Sequence, residues 1–223
     1  MKRPDATGYA PVNGVDMYWE SRGTGGTPLI VTHGGFGLTT MFGDLPERLA
    51  CDRQVISVEL QGHGHTRDID RPLRYPAFGD DIAALAKHLD LGAVDLFGFS
   101  VGAGASLRAT IQHPDLVRRL VVGSFPCRRD GWLPEVLAGM DQVNRAGFEM
   151  HRRSPMYAAW QAVAPDVDSY PALMDKVGDL LRTPYDWTDE VARITAPTLL
   201  VFADADSISI THVAEFFGAQ AVE

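Results

Sequence analysis

The sequence predicts an α/β protein with a mostly parallel, doubly wound sheet and a helical insertion. Short apolar runs alternate with helical patterns over the first 125 residues, and this rhythm returns at 196–202. Such runs, bounded by glycine-rich turns, are typical of parallel strands that are buried on both faces. Their alternation with helices indicates a sheet that helices cover on both sides. At 223 residues, the chain is long enough for one such domain with a full core.

Each element has its own local signal. Residues 15–22 mix aromatic and polar side chains, as a partly exposed strand does. The clearest helix spans 75–89, because its apolar residues recur at i, i+4, i+7 and i+11. The other strands are predicted at 28–32, 54–59, 94–97, 117–123 and 196–202, and the other helices at 41–51, 101–112 and 211–217.

The rhythm of strands and helices breaks between residues 126 and 189. This segment has several helical patterns, no convincing strand and many large aromatic side chains. We interpret it as a helical insertion that covers one end of the sheet. The predicted core therefore comprises residues 1–125 and 190–223. The alternative is that the helices of 126–189 are ordinary core helices.

Composition and charge exclude several classes of protein. The net charge of −9 argues against a nucleic-acid surface, which normally carries a basic patch. No apolar run approaches the roughly 18 residues that span a bilayer, and the N-terminus lacks the apolar segment of a secretory signal. Cys51 and Cys127 have no metal-like spacing and are expected to be reduced thiols. We expect a cytoplasmic protein that acts on a small molecule, with no cofactor, nucleic acid or membrane.

The candidate nucleophile is Ser100. An apolar run, 94–97, leads into this serine, with Gly98 two residues before it and Gly102 two residues after it. A serine on a tight turn between a buried strand and a helix can be held in a strained conformation with its hydroxyl exposed. The helix that begins at Val101 would direct free N–H groups at an anion forming beside that hydroxyl. A purely structural turn serine is the alternative.

A glycine-rich loop at residues 33–37, directly after an apolar strand, is the candidate oxyanion loop. Glycines at the end of a strand allow backbone N–H groups to face a cavity. The N–H of Gly35 or of Phe36, together with that of Val101, would form the pair of donors that stabilises an oxyanion. An ordinary glycine turn is the alternative. His33 is expected to bond within this loop rather than to act as a base.

The candidate acids are Asp204 and Asp206, just after the last predicted strand. A carboxylate at this position could orient a histidine and stabilise its charged form. The end of the strand at 117–123 is the other possible site, but no carboxylate follows it closely. Spacing alone does not choose between the two aspartates, and a solvated loop aspartate is the alternative for both.

These motifs together resemble those of an α/β-hydrolase with a helical cap. The resemblance covers residues 15–217 and rests on the loop at 33–35, the turn at 61–64, the turn around Ser100 at 98–102 and the acid loop at 203–206. In this family the acid usually ends a Gly-x-x-Asp pattern. Residues 203–206 match that pattern with alanine in place of glycine, so the resemblance points to Asp206.

The resemblance also implies an activity. It implies a cofactor-independent serine hydrolase that acts on a small ester, lactone or related acyl substrate through an acyl-enzyme at Ser100. The cap of the family shapes the substrate pocket, which fits the aromatic-rich segment 126–189. A non-catalytic protein that holds a small apolar ligand in a hydrolase-like pocket is the alternative.

One partner of Ser100 is missing from the expected pattern. The family order is serine, then aspartate, then histidine, but the only histidine after Asp206 is His212, at the start of a helix. His63 and His65, which follow a neighbouring strand, are the other candidates for the base. We expect that the last strand, the histidine loop and the final helix of the family are absent from this chain.

Two consequences follow from a missing base and a missing last strand. Reaction through Ser100 should be slower by several orders of magnitude, because the three groups of a triad act as a unit. The strand at 198–202 should also be an apolar edge that is open to another chain. We therefore expect a homodimer, or aggregation, through this edge.

Overall fold

The computed structural model describes residues 3–220, which form a twisted sheet flanked by helices. Within these residues the sheet has seven strands in the order β1-β2-β4-β3-β5-β6-β7. The strands are β1 (Ala6–Val12), β2 (Val15–Arg22), β3 (Leu29–Thr32), β4 (Val55–Val58), β5 (Val94–Phe99), β6 (Val117–Gly123) and β7 (Thr198–Val201).

The pairing of the strands confirms the predicted fold class. Strands β3 to β7 are parallel to their neighbours, and only β1 and β2 are antiparallel. Strand β1 was not predicted, because Gly8 and Pro11 interrupt its pattern. It forms nonetheless, since it pairs along its whole length with β2. Gly8 gives room to the indole of Trp19, which would lie 2.8 Å from a Cβ at this position.

The described helices are α1 (Leu45–Leu49), α2 (Tyr75–His88), α3 (Val101–Gln112), α4 (Pro134–Asp141), α5 (Phe148–His151), α6 (Pro155–Gln161), α7 (Tyr170–Arg182), α8 (Thr188–Val191) and α9 (Ile210–Gln220). The prediction of one helix over 41–51 is wrong. Gly43 adopts a positive φ of 57°, and it separates a short 3₁₀ turn from α1. The last helix is longer than the predicted 211–217.

The core lies on both faces of the sheet. Ile30 of β3 joins the large apolar cluster that α2 and α3 cover, whereas its neighbours Leu29 and Val31 belong to a smaller cluster beside α1. This alternation is the pattern of a strand buried on both sides. Helices α2 and α3 pack closely, because a Cβ on Gly79 would lie 2.8 Å from the backbone nitrogen of Ala109.

The segment 126–189 contains helices and turns between β6 and β7, as predicted. It packs on the loop that follows β4. The indole N–H of Trp160 donates to the Gly62 carbonyl at 3.1 Å, and Lys176 pairs with Asp68 at 2.7 Å. The division into a core and a cap stays a prediction, and its core range includes residues 1, 2 and 221–223, which lie outside the described residues.

Strand β7 is one edge of the described sheet. Leu199 and Val201 are 58% and 46% exposed, so the edge has an apolar side without cover. In residues 3–220 no helix combines the length and the apolar character that crossing a bilayer would take.

Candidate active site

The topology places the candidate site where the strand order reverses. Strand β3 is followed along the chain by β4 on one side and then by β5 on the other. In open α/β sheets, ligands bind at such a switch point, outside the carboxyl ends of the strands. Here the loop 33–37 leaves the end of β3, and Ser100 follows the end of β5.

The backbone of Ser100 is strained. Its φ and ψ are 52° and −121°, in a region that residues with a side chain rarely adopt. Surrounding hydrogen bonds hold the turn: the Ser100 N–H donates to Gly123 at 2.8 Å, and the Ser100 carbonyl accepts from Ala103 at 2.8 Å. The Ser100 hydroxyl is half-buried and has no hydrogen-bonding partner within residues 3–220.

Two glycines make this turn possible. A Cβ on Gly98 would lie 2.3 Å from the Gly102 carbonyl oxygen, and a Cβ on Gly102 would lie 2.4 Å from the His33 carbonyl oxygen. Neither position has room for a side chain, because the obstructing atoms belong to the backbone. The glycine spacing around Ser100 therefore reflects close contact between β5, α3 and the end of β3.

The loop 33–37 lies against Ser100. A Cβ on Gly34 would be 3.3 Å from the Ser100 Cβ, and a Cβ on Gly35 would be 3.3 Å from the Val101 side chain. Phe36 has a positive φ of 58°. In the described part of the chain, the backbone N–H groups of Gly35, Phe36 and Val101 donate to no backbone carbonyl. These three N–H groups lie in the loop 33–37 and at the start of α3, the two segments that meet at Ser100.

His33 holds this loop in place. Its Nδ1 lies 2.7 Å from the Gly34 carbonyl oxygen, and its Nε2 accepts a hydrogen bond from the Leu60 N–H at 3.1 Å. Both ring nitrogens are therefore occupied, and the ring is buried. Burial, followed by the neighbouring His63, lowers the pKa of His33 to about 3. The neutral ring joins the loop after β3 to the loop after β4.

The two candidate acids differ in their surroundings. Asp206 is half-buried, and its carboxylate accepts hydrogen bonds from the Ser124 hydroxyl at 2.7 Å, from the Ala203 N–H at 3.0 Å and from the Ser207 N–H at 2.7 Å. Asp204 is exposed and accepts from its own neighbour in the loop. Ser124 follows the end of β6, which pairs with β5, so Asp206 is tied to the strand next to Ser100.

His212 does not face the candidate site. Its ring is buried, and its Nε2 accepts a hydrogen bond from the Cys127 N–H at 3.1 Å. Burial lowers the pKa of His212. The nearby Cys127 thiol is no alternative nucleophile, because burial raises its pKa to about 11 and leaves it protonated at neutral pH.

His63 and His65 also have other partners. The Nδ1 of His63 lies 2.9 Å from the Gln61 carbonyl oxygen, and the ring is fully buried with its Nε2 unpaired. His65 pairs with Glu59 at 3.0 Å and stacks on Tyr18. All seven histidines of the chain lie in the described range, and no hydrogen bond joins any of them to Ser100 or Asp206 there.

One histidine near the site was missed by the sequence analysis. His151, at the end of α5, lies against Phe36 of the loop 33–37, with 4.8 Å between the ring centroids. Its Nδ1 lies 2.8 Å from the hydroxyl of Tyr170 on α7. Nothing in the spacing of residues around 151 indicates this contact, because it depends on how the segment 126–189 folds back over the sheet.

A family model describing the alpha/beta hydrolase fold matches residues 27–210. The pimeloyl-[acyl-carrier protein] methyl ester esterase of Yersinia pseudotuberculosis is 27% identical over 221 residues, which cover 89% of this chain and 82% of that protein. The acetyltransferase component of the acetoin cleaving system of Pseudomonas putida is 34% identical over 113 residues, covering 50% of this chain and 30% of that protein. Five curated relatives, the latter among them, are matched over only 25% to 38% of their own length.

Solved structures share the fold. The crystal structure of E-2-(acetamidomethylene)succinate hydrolase superposes with a TM-score of 0.74 at 21% identity, covering 96% of this chain and 87% of that one. At this level of identity the likeness concerns the arrangement of strands and helices alone.

Proposed function

This chain belongs to the α/β-hydrolase fold family, and we propose that it hydrolyses a small ester, lactone or related acyl substrate through an acyl-enzyme at Ser100. The observation that carries the proposal is the strained backbone of Ser100. The hydroxyl of this serine has no hydrogen-bonding partner within residues 3–220. Such strain costs on the order of 1–3 kcal/mol. It is expected where a side chain must be held for a reaction.

In the first step, the Ser100 oxygen attacks the carbonyl carbon of the substrate. The carbonyl oxygen becomes an oxyanion, and the N–H groups of Val101 and of Gly35 or Phe36 stabilise it. When this intermediate collapses, the bond between the acyl carbon and the alcohol oxygen breaks. The alcohol leaves with the proton that Ser100 has lost, and the acyl group stays on Ser100.

In the second step, water attacks the acyl carbon of the acyl-enzyme. The same N–H groups hold the second oxyanion, the bond to the Ser100 oxygen breaks, and the carboxylic acid leaves. Ser100 regains its proton from the attacking water. No oxidant, metal ion or other cofactor takes part in either step.

Asp206 is the proposed third member of the site, as the carboxylate that would orient a histidine. Three hydrogen bonds fix the position of its carboxylate, but the donors are Ser124, Ala203 and Ser207 rather than a histidine. We therefore propose that this 223-residue chain reacts slowly. Oxyanion donors and substrate binding alone leave roughly 10³–10⁴-fold acceleration over water in serine hydrolases that have lost a triad member.

The segment 126–189 is the proposed cap. Val177 of α7 approaches Gly35, and Leu173 approaches Gly62, so this helix covers the loops beside Ser100. The rings of His151 and Tyr170 from this segment contact Phe36, at centroid distances of 4.8 and 5.9 Å. A small, mostly apolar acyl group fits such walls. The name of the Yersinia relative, a methyl ester esterase, supports an ester as the substrate.

A non-catalytic protein that binds a small ligand is the second candidate function. The observation that favours it is that no histidine in residues 3–220 is hydrogen-bonded to Asp206 or Ser100. The tight turn between a strand and a helix at Ser100 is the feature that favours the enzyme instead, since this is the geometry that presents a nucleophilic serine.

Hydrolysis of p-nitrophenyl acetate and p-nitrophenyl butyrate tests the proposal. We expect release of nitrophenolate above the rate in buffer, an acetylated chain by intact-mass spectrometry, and loss of both in Ser100→Ala. The matched control is Ser207→Ala, at an exposed serine of the acid loop, which should keep the rate. Equal rates for the wild-type chain and Ser100→Ala would favour the binding protein.

A further inference from the structure

The segment that covers the loop 33–37 contributes the imidazole of His151, at the end of α5, which the hydroxyl of Tyr170 on α7 orients. This ring is half-buried and contacts the ring of Phe36, whose backbone N–H is one of the proposed oxyanion donors. His151 therefore lies beside the loop that is proposed to hold the oxyanion. The proposed function uses no side chain of 126–189 for a polar contact, so the role of His151 is open.

Tyr170 fixes the protonation pattern of His151. Its ring is buried among Tyr157 and Trp160, at centroid distances of 4.8 and 4.7 Å, and His151 Nδ1 is the hydrogen-bonding partner of its hydroxyl within residues 3–220. A buried hydroxyl needs an acceptor, so the Tyr170 O–H donates to Nδ1. The proton of the neutral imidazole then lies on Nε2.

Two effects keep His151 neutral. Burial lowers the pKa of His151, and the hydrogen bond from Tyr170 to Nδ1 leaves no room for a second ring proton. Nε2 is thus an N–H donor, and it has no acceptor within residues 3–220. A half-buried donor without an acceptor is available to a ligand.

We propose that His151 is a substrate-binding residue, which donates a hydrogen bond from Nε2 to an oxygen on the acyl group of the substrate. Tyr170 is the positioning residue that holds the donor tautomer. This inference rests on the proposed function, and it narrows the substrate class to acyl groups that carry an alkoxy, hydroxy or keto oxygen in addition to the ester itself.

The test compares two fluorophosphonates that differ in one atom. One has a propyl group on phosphorus, and the other has a methoxymethyl group of the same length, in which oxygen replaces a CH₂. Both label an activated serine, and the rate constants for labelling of Ser100 are measured by intact-mass spectrometry. The ratio of the methoxymethyl rate to the propyl rate reports the contact with the additional oxygen, because differences in intrinsic reactivity cancel between variants.

Relative to the wild-type chain, we expect this ratio to fall about 3- to 10-fold in His151→Phe, as the loss of one hydrogen bond predicts. His151→Gln keeps an N–H donor and should restore most of the ratio. Tyr170→Phe should lower the ratio by a smaller factor. The His151 ring stays in place, but without the Tyr170 hydroxyl its proton can lie on either nitrogen. The matched control is His88→Gln, at an exposed histidine that ends α2, and thermal unfolding checks that each variant is folded.

Three outcomes overturn the inference. An unchanged ratio in a folded His151→Phe shows that Nε2 makes no such contact. Loss of labelling by both probes in that variant shows that His151 acts as the base instead. Absence of labelling in the wild-type chain contradicts the proposed function as well as the inference. Labelling of the wild-type chain with an unchanged ratio in His151→Phe contradicts the His151 contact alone.

Discussion

At the scale of single residues, the turn at Ser100 depends on the absence of a Cβ at its two glycines. Gly98→Ala should lower the free energy of unfolding by about 3 kcal/mol or more, because the added carbon would meet the Gly102 carbonyl oxygen at 2.3 Å. Urea denaturation measures this loss. Gly139→Ala is the matched control: no atom lies within 4 Å of its added Cβ, and the helical site should gain about 0.5–1 kcal/mol. Equal stability of both variants would show that the turn can relax.

The two aspartates of the acid loop should respond differently to the same substitution. Asp206→Asn replaces a carboxylate that holds three donors, so it should lower the free energy of unfolding by about 1–3 kcal/mol. Asp204→Asn should stay within about 0.5 kcal/mol, since Asp204 is exposed. The same loss in both variants would contradict the assignment of Asp206.

The local geometry around the candidate site could be predicted where glycine spacing acts locally. The tight turn at Ser100 and the contact of the loop 33–37 with it follow from that spacing, whereas the catalytic roles of Ser100 and the aspartates stay predictions. Spacing alone could not show that Asp206, unlike Asp204, is held by a distant side chain, because Ser124 lies 82 residues away in the sequence. His151 could not be found at all, since its partners lie on a different strand end and a different helix.

At the scale of elements, one buried histidine joins the loops after β3 and β4, and its burial makes this connection sensitive to pH. The pKa of His33 is lowered to about 3 in the fold, whereas an unfolded chain takes up the proton near pH 6.5. The contribution of neutral His33 to the free energy of unfolding is therefore complete above about pH 6.5. By about pH 5, protonation of the unfolded chain lowers the free energy of unfolding by about 2 kcal/mol.

Urea denaturation of His33→Asn at about pH 7.5 and about pH 5 checks this effect. The variant should be less stable than the wild-type chain at the higher pH, because the contacts with Gly34 and Leu60 are weakened. The difference between the two proteins should shrink at the lower pH. A difference that stays constant or grows on acidification would mean that His33 is not kept neutral by the fold.

Helices and strands were predicted best where a single buried face determines the spacing of apolar residues. Helix α2 follows its apolar spacing closely, with Phe78 and Ile82 fully buried. Strand β1 was missed because its pairing with β2, rather than its own composition, stabilises it. The helix predicted over 41–51 failed at Gly43, where the chain adopts a positive φ.

At the scale of the whole molecule, the apolar edge at β7 leads us to propose a homodimer through residues 198–202. An exposed edge strand presents free N–H and C=O groups to a second chain, and two copies of β7 can pair about a two-fold axis. Leu199→Lys should shift the protein to a monomer in size-exclusion chromatography at high concentration. Ile210→Lys, at a residue that is 80% exposed on α9, is the control and should remain a dimer. A wild-type chain that elutes as a monomer contradicts the proposal.

The architecture as a whole was predictable from the alternation of strands and helices, and the parallel pairing of β3 to β7 confirms it. The order of the strands in the sheet could not be predicted, because apolar patterns carry no information on which strands are neighbours. The reversal of order at β3 brings the loop 33–37 beside Ser100, and the site depends on that reversal.

The central claim is that Ser100 is the nucleophile of this chain, and site-resolved labelling with a fluorophosphonate tests it most directly. Peptide mass spectrometry after labelling should find the phosphonyl group on Ser100 in the wild-type chain. Ser100→Ala should carry no label, although Ser124 lies at the end of the adjacent strand. A wild-type chain that stays unlabelled, or a label on another serine that persists in Ser100→Ala, would contradict the claim.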